Sequence, residues 1–342
     1  MEQWVDELFS DDILQEAFNR YDIDSAAYKD LGGFENYVFE VYKGETPYIL
    51  RLTHSSHRDQ YELEGELQWV NYLQRHNVNV SLAHKSNSGK LVEKIKAGET
   101  SFFACLFDKA PGRLVKVDED LFGPELFAVW GETIGNMHRV TRDFNLQKGR
   151  RSKWEEDDLF DFPSYLDEKK DGEIISQGEM LVDQIKRLPQ SYDSFGLIHS
   201  DVHPGNFFYH EGEIHVFDFD DSTYHFYVSD IAIPLYYSVW WKHRNESLEV
   251  RSKFGEEFFY HFLKGYQKES AIDPEWIERI PMFLRLRDLE LYTVLHKKWD
   301  MSTVSPDQKQ LVAQIRDRLI RGEEIAVLPY KAIVEQLPLE TD

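Results

Sequence analysis

Cysteine is almost missing from this chain. Cys105 stands alone among 342 residues, so no intrachain disulfide can form and a disulfide-stapled scaffold is excluded. Long apolar runs are missing too, and none approaches the roughly 18 residues that a membrane-spanning helix needs. Positive charge is scarce: 39 Lys and Arg face 62 Asp and Glu, a formal net charge of −23. A phosphate backbone needs a basic partner surface, which argues against DNA or RNA, whereas a cationic small molecule would be favoured. The opening Met1-Glu2-Gln3-Trp4-Val5-Asp6-Glu7 has neither the basic start nor the apolar core of a signal peptide. These features lead to the expectation of a cytoplasmic protein that engages no membrane.

Apolar side chains are abundant, at 42%, with 14% aromatic residues. That composition belongs to an ordered globular chain, and the length suffices for two lobes with separate cores. Trp4, Val5, Leu8, Phe9, Ile13, Leu14 and Phe18 recur at helical spacing and predict one amphipathic helix. A Gly-Gly pair at 32–33 precedes a β-rich run at 37–42, a turn at 43–47 and a second run at 48–52, the pattern of a hairpin. Leu63, Leu67, Val70 and Leu73 predict a helix from about 59 to 75. The apolar strand at 101–107 ends at Asp108-Lys109-Ala110-Pro111-Gly112, the natural lobe boundary. Beyond it the pattern is mainly helical, and the charged segment from Lys148 to Lys170 reads as an exposed insertion or a lid.

The chemistry concentrates in His199-Ser200-Asp201-Val202-His203-Pro204-Gly205-Asn206 and, after a short hairpin, Val216-Phe217-Asp218-Phe219-Asp220. An Asp five residues before an Asn, then an apolar strand ending in another Asp, supplies kinases with a base and two magnesium ligands. Carboxylate and amide oxygens are hard acceptors suited to Mg²⁺. On this reading Asp201 is the catalytic base, and Asn206 and Asp218 are the metal ligands. Asp220, on the same side of an extended strand as Asp218, is either a second-metal ligand or a solvated carboxylate.

The chain resembles the aminoglycoside phosphotransferase, choline kinase and homoserine kinase-like superfamily, whose members carry His-x-Asp-x-His-Pro-x-Asn as here. The resemblance runs from about Leu31 to Ile233. It implies an α+β, bilobal protein-kinase-like fold: a small β-rich N-lobe (1–108) and a larger, mainly helical C-lobe (109–342). It implies ATP and Mg²⁺ as cofactors and a γ-phosphate moved to a hydroxyl of a small molecule of the amino alcohol, homoserine, aminoglycoside or sugar type. Protein kinases carry Lys two residues after the catalytic Asp, where this chain has His203, which favours a small-molecule acceptor over a protein one. The resemblance also implies a buttressing His199, and an Asp230 that accepts backbone N–H groups of the catalytic loop.

In the small lobe, Ile49 and Arg51 alternate onto one strand face. By the resemblance, Ile49 covers adenine and Arg51 stands where protein kinases have Lys, a planar fork in place of a point charge. Glu66 is its expected partner, with Glu62 in reserve. Gly32 and Gly33 fall where a phosphate-covering loop belongs, without the Gly-x-Gly-x-x-Gly spacing. Phe107, Asp108 and Ala110 correspond to the hinge that pairs with adenine through backbone groups. Tyr236, Tyr237, Trp240 and Trp241 form either core or an aromatic wall for a cation.

Three other readings compete. A Ser/Thr protein kinase of the same fold keeps every residue above. A nucleotide-binding scaffold without turnover has only the unusual Arg51 in its favour. A zinc hydrolase built on His199, Asp201 and His203 leaves Asn206 and Asp218 without purpose.

Overall fold

Two short helices, α1 (Gln3–Leu8) and α2 (Asp11–Tyr21), open the chain in the computed structural model, which describes residues 3–33 and 35–337. The periodicity predicts one helix here. The break falls at Ser10, held extended at φ −139° directly before Asp11 and Asp12, the start signal of a new helix. Strands β1 (Tyr28–Gly32), β2 (Asn36–Lys43) and β3 (Thr46–His54) follow. β2 and β3 form the expected hairpin in register Lys43↔Thr46, turning at Gly44 with φ +61°. Helix α3 (Gln60–Arg75) comes next, then β4 (Ala83–His84), β5 (Glu93–Ala97) and β6 (Thr100–Asp108). The antiparallel sheet runs β1-β2-β3-β6-β4, with β5 also paired to β6.

The remainder is mainly helical. Helix α4 (Pro124–Thr141) leads through α5 (Phe162–Tyr165) to α6 (Glu168–Lys186). Two small antiparallel pairs follow: β7 (Phe195–Ile198) with β10 (Thr223–Phe226), and between them β8 (Phe207–His210) with β9 (Glu213–Val216). Helices α7 (Tyr227–His243), α8 (Leu248–Tyr266), α9 (Pro274–Ile277), α10 (Ile280–Lys298), α11 (Pro306–Arg321) and α12 (Tyr330–Gln336) complete the lobe. No helix among the described residues is long and apolar enough to cross a membrane.

Two packing features position the site. α4 and α8 touch backbone to backbone, because a Cβ on Gly131 would fall 1.8 Å from the Phe262 carbonyl oxygen, and one on Gly265 equally close to that of Ala128. Trp69, Val70 and Leu73 of α3 join the core of the helical lobe, while Leu63 and Leu67 pack on the sheet side, so α3 ties the two lobes together. The segment 148–170 is a strap pinned by a few buried residues, with most of its charged side chains exposed as expected. Arg151 and Trp154 are buried, the Arg150 N–H donates to the Tyr61 carbonyl at 2.8 Å, and Gly65 leaves room for the Arg150 backbone.

Candidate active site

The β8–β9 hairpin builds the centre. Its turn residues Glu211 and Gly212 both have positive φ (48° and 93°), as a two-residue type I′ turn requires. Register Phe207↔Val216 then sets Asn206 opposite Phe217, whose N–H donates to the Asn206 carbonyl at 3.0 Å. Asp218 follows at once, with left-handed φ +64°. The preceding loop is held in place by Asp230 at the start of α7, which accepts the N–H groups of His199 (2.9 Å) and Ser200 (2.7 Å). Ser200 itself sits at φ +69°, a conformation that needs such support.

Asp201 is engaged on both oxygens. Oδ2 accepts from Asn206 Nδ2 at 3.1 Å and lies 3.3 Å from His203 Nε2, while Oδ1 accepts from Arg287 Nη2 at 2.5 Å. Burial alone would raise this carboxyl, but His203 and Arg287 hold it below the usual carboxylate range. His199 is fully buried; its Nδ1 accepts the Asp201 N–H, so its Nε2 donates to the Phe217 carbonyl at 3.1 Å. His203 turns instead toward Tyr237 and Trp241, at 5.2 and 4.9 Å between ring centroids. The two imidazoles therefore do not converge with Asp201 on a common point, as a zinc hydrolase would need.

Across the cleft, Arg51 Nη2 meets Glu66 Oε2 at 2.7 Å, both side chains nearly fully buried, and Arg51 Nη1 lies 4.0 Å from Asp218 Oδ1. Burial would lower the guanidinium, yet Glu66 and Asp220 hold it charged, well above its ordinary value. Glu62 does not take part. It closes a capping box with Asp59 at the start of α3, leaving Glu66 as the partner one turn on.

Gly33, Ile49, Arg51, Glu66, Phe107, Asp108, Ala110, Asp201, Asn206, Asp218 and Asp220 all line one cleft of about 1480 Å³. That exceeds the roughly 300–1,000 Å³ of a single-ligand pocket and leaves room for a nucleotide and an acceptor together. Gly32 is not on its wall; at φ +74° it makes the turn out of β1. Gly33 instead closes the next turn, where a Cβ would collide with the Asn36 carbonyl. Phe34 lies outside the described residues. Asp108 spends its N–H on the Leu82 carbonyl (2.9 Å) and its carboxylate on His84 (2.6 Å), so only its carbonyl is left for a hinge role.

Asp220 and Asp218 differ sharply. Asp220 is buried, with His57 Nε2 at 2.5 Å and Arg58 Nε at 3.5 Å, and these cations hold its carboxyl far below the usual range against the effect of burial. Its Oδ2 is thus taken by His57, while Oδ1 is buried with no hydrogen-bond partner among the described residues, so Asp220 is not solvated and keeps one oxygen for a second cation. Asp218 keeps half its surface open to the cleft. Enclosure by the cleft walls and then the charge of Asp220 push it up to about 7, the mark of a carboxylate short of a cation. Glu66 Oε1 nearby is buried and has no hydrogen-bond partner among the described residues. Asn206 donates through Nδ2 to the Asp201 carbonyl at 2.9 Å, which turns its amide oxygen the other way. This donor set fits a hard divalent cation, for which Asn206 and Asp218 would be the ligands.

The sequence reading missed several residues on this wall. Arg287 and Glu290 of α10 pair with each other at 3.0 Å and border Asp201. Asp157 of the strap faces the same space, and Lys298 reaches across to Glu35. Tyr236 is core, bonded to Asp288 at 2.5 Å, whereas Tyr237 carries the Arg287 guanidinium 5.0 Å above its ring. The aromatic wall thus already holds an internal cation.

A family model described as "Phosphotransferase enzyme family" (APH) matches residues 29–277. Among curated proteins, amicoumacin kinase of Bacillus subtilis (strain 168) is 35% identical over 325 residues, which is 94% of this chain and 95% of that one. Among solved structures, amicoumacin kinase hAmiN in complex with AMP-PNP, Ca²⁺ and Ami has a TM-score of 0.92 at 32% identity, covering 97% of this chain and 100% of the other. The microcompartment-associated aminopropanol kinase has a TM-score of 0.71 at 19% identity over 92% and 98% of the two chains, a likeness of fold.

Proposed function

This chain belongs to the phosphotransferase enzyme family and is an ATP-dependent kinase acting on a small molecule, and we propose amicoumacin or a close chemical relative as its acceptor. The reading of the site is carried by one observation: Asp201, Asn206, Asp218 and the Arg51–Glu66 pair line a single cleft. The choice of acceptor rests on 35% identity sustained over nearly the full length of both chains.

In this reading Asp201 accepts the proton of the acceptor hydroxyl as that oxygen bonds to the γ-phosphorus. The bond from γ-phosphorus to the bridging oxygen breaks, and its electron pair leaves with ADP. Arg51 orients the α- and β-phosphates, and Glu66 holds Arg51 for that task. Asn206 and Asp218 would hold a divalent cation, which when bound would neutralise phosphate charge. Glu290 and Asp157 place further carboxyl groups beside Asp201 on the cleft wall, which suits an acceptor that carries a cationic group. Mixing the protein with Mg·ATP and, in parallel, amicoumacin, choline, homoserine, an aminoglycoside and a sugar tests the proposal by mass spectrometry. Amicoumacin gaining one phosphoryl group is the expected result; an untouched amicoumacin beside another phosphorylated acceptor would refute the assignment.

A further inference from the structure

Asp201 has three side-chain neighbours, and two of them donate hydrogen bonds to its carboxylate. A carboxylate offers about four lone-pair sites, two on each oxygen. Asn206 Nδ2 donates to Oδ2 and Arg287 Nη2 to Oδ1, while His203 Nε2 stands 3.3 Å from Oδ2 as an ion-pair neighbour. Of these two hydrogen bonds the one from Arg287 is the shorter, 2.5 Å against 3.1 Å.

Arg287 is itself anchored on several sides. Nη2 also donates to the Tyr237 hydroxyl at 2.9 Å, Nη1 meets Glu290 Oε2 at 3.0 Å, and the guanidinium lies over the Tyr237 ring. Its Nε is buried with no hydrogen-bond partner among the described residues. Such a fork, tied to a tyrosine and a glutamate, fixes the rotation of the Asp201 carboxylate as a lysine could not.

We infer that Arg287 is the positioning residue of the base: it locks the rotation of the Asp201 carboxylate in the orientation that meets the incoming hydroxyl. The inference rests on the reading of Asp201 as base and adds to it a residue 86 positions away. Arg287 also borders the path of the hydroxyl, so with Tyr237 and Glu290 it sets which acceptors present that hydroxyl correctly. A misplacement of the base by about 1 Å costs on the order of 100-fold in rate.

The test compares wild type, Arg287→Lys and Arg287→Ala, with amicoumacin as acceptor. For Arg287→Ala the expected result is a kcat lower by about 100-fold, with affinity for Mg·AMP-PNP kept. Added guanidinium ion should restore kcat saturably, and Arg287→Lys should recover only part of it. Wild-type kcat in Arg287→Ala overturns the inference, as does a loss that follows nucleotide affinity and that guanidinium does not rescue. Crystals of wild type and Arg287→Ala with Mg·AMP-PNP supply a readout that needs no acceptor. The Asp201 carboxylate should rotate in the variant, and an unmoved carboxylate refutes Arg287 even if amicoumacin proves to be the wrong substrate.

Discussion

Asp218 and Asp220 stand two residues apart on one short stretch, yet their surroundings give them opposite electrostatics. One is short of a cation and the other has His57 and Arg58 beside it. Asp218→Ala should therefore abolish the dependence of nucleotide binding on the divalent ion, read by titrating AMP-PNP with and without Mg²⁺. Unchanged Mg²⁺ dependence would remove Asp218 from the metal site. At the buried Arg51–Glu66 pair, Glu66→Gln removes the nearest counter-charge of the guanidinium and should destabilise the fold by about 3–5 kcal/mol, measured by urea unfolding. A third residue gives a pH signature. Burial would raise Glu35, but His57 and Lys298 bring it down to about 2. A depressed carboxyl contributes stability above its unfolded value near 4.3 and loses it as pH falls toward the folded one. Glu35→Gln should accordingly melt below wild type at neutral pH, and the gap should close as pH falls from about 4 toward 2. An equal gap at both ends of that window would count against the pairing.

Among the elements, those built by local rules were legible in the sequence. The hairpin joining Asn206 to Asp218 follows from strand register and a tight turn, so linear spacing was enough to bring them together. Helix α3 was legible from its apolar stripe, and Asp59 three residues before Glu62 was a capping signature that could have ruled Glu62 out. What escaped notice depends on contacts distant in sequence. Arg287 and Glu290 sit on a helix whose pattern announces only a helix, and nothing local joins them to a loop 86 residues earlier. Most of the strap's charges do face solvent, and among them one buried cation went unseen. Arg151 instead donates to the Ser222 carbonyl at 2.7 Å and the Asp220 carbonyl at 2.5 Å from a buried position. Arg151→Ala should remove both charged hydrogen bonds, lower stability by about 2–3 kcal/mol and expose the strap to limited proteolysis. A strap as protease-resistant as that of wild type would contradict this packing.

Taken as a whole molecule, α3 joins the core of the helical lobe to the cluster on the sheet side, the strap packs against α3, and a cleft large enough for two substrates lies between the lobes. The charge of −23 adds a long-range field that favours cations entering that cleft. Every functional assignment meets at Asp201, so the most direct measurement is ATP-dependent phosphorylation of the acceptor by wild type and by Asp201→Asn, with Mg·AMP-PNP affinity recorded for both. Turnover should fall by about 10²–10⁴-fold while nucleotide affinity stays close to wild type. An Asp201→Asn protein that phosphorylates the acceptor at the wild-type rate would contradict the account.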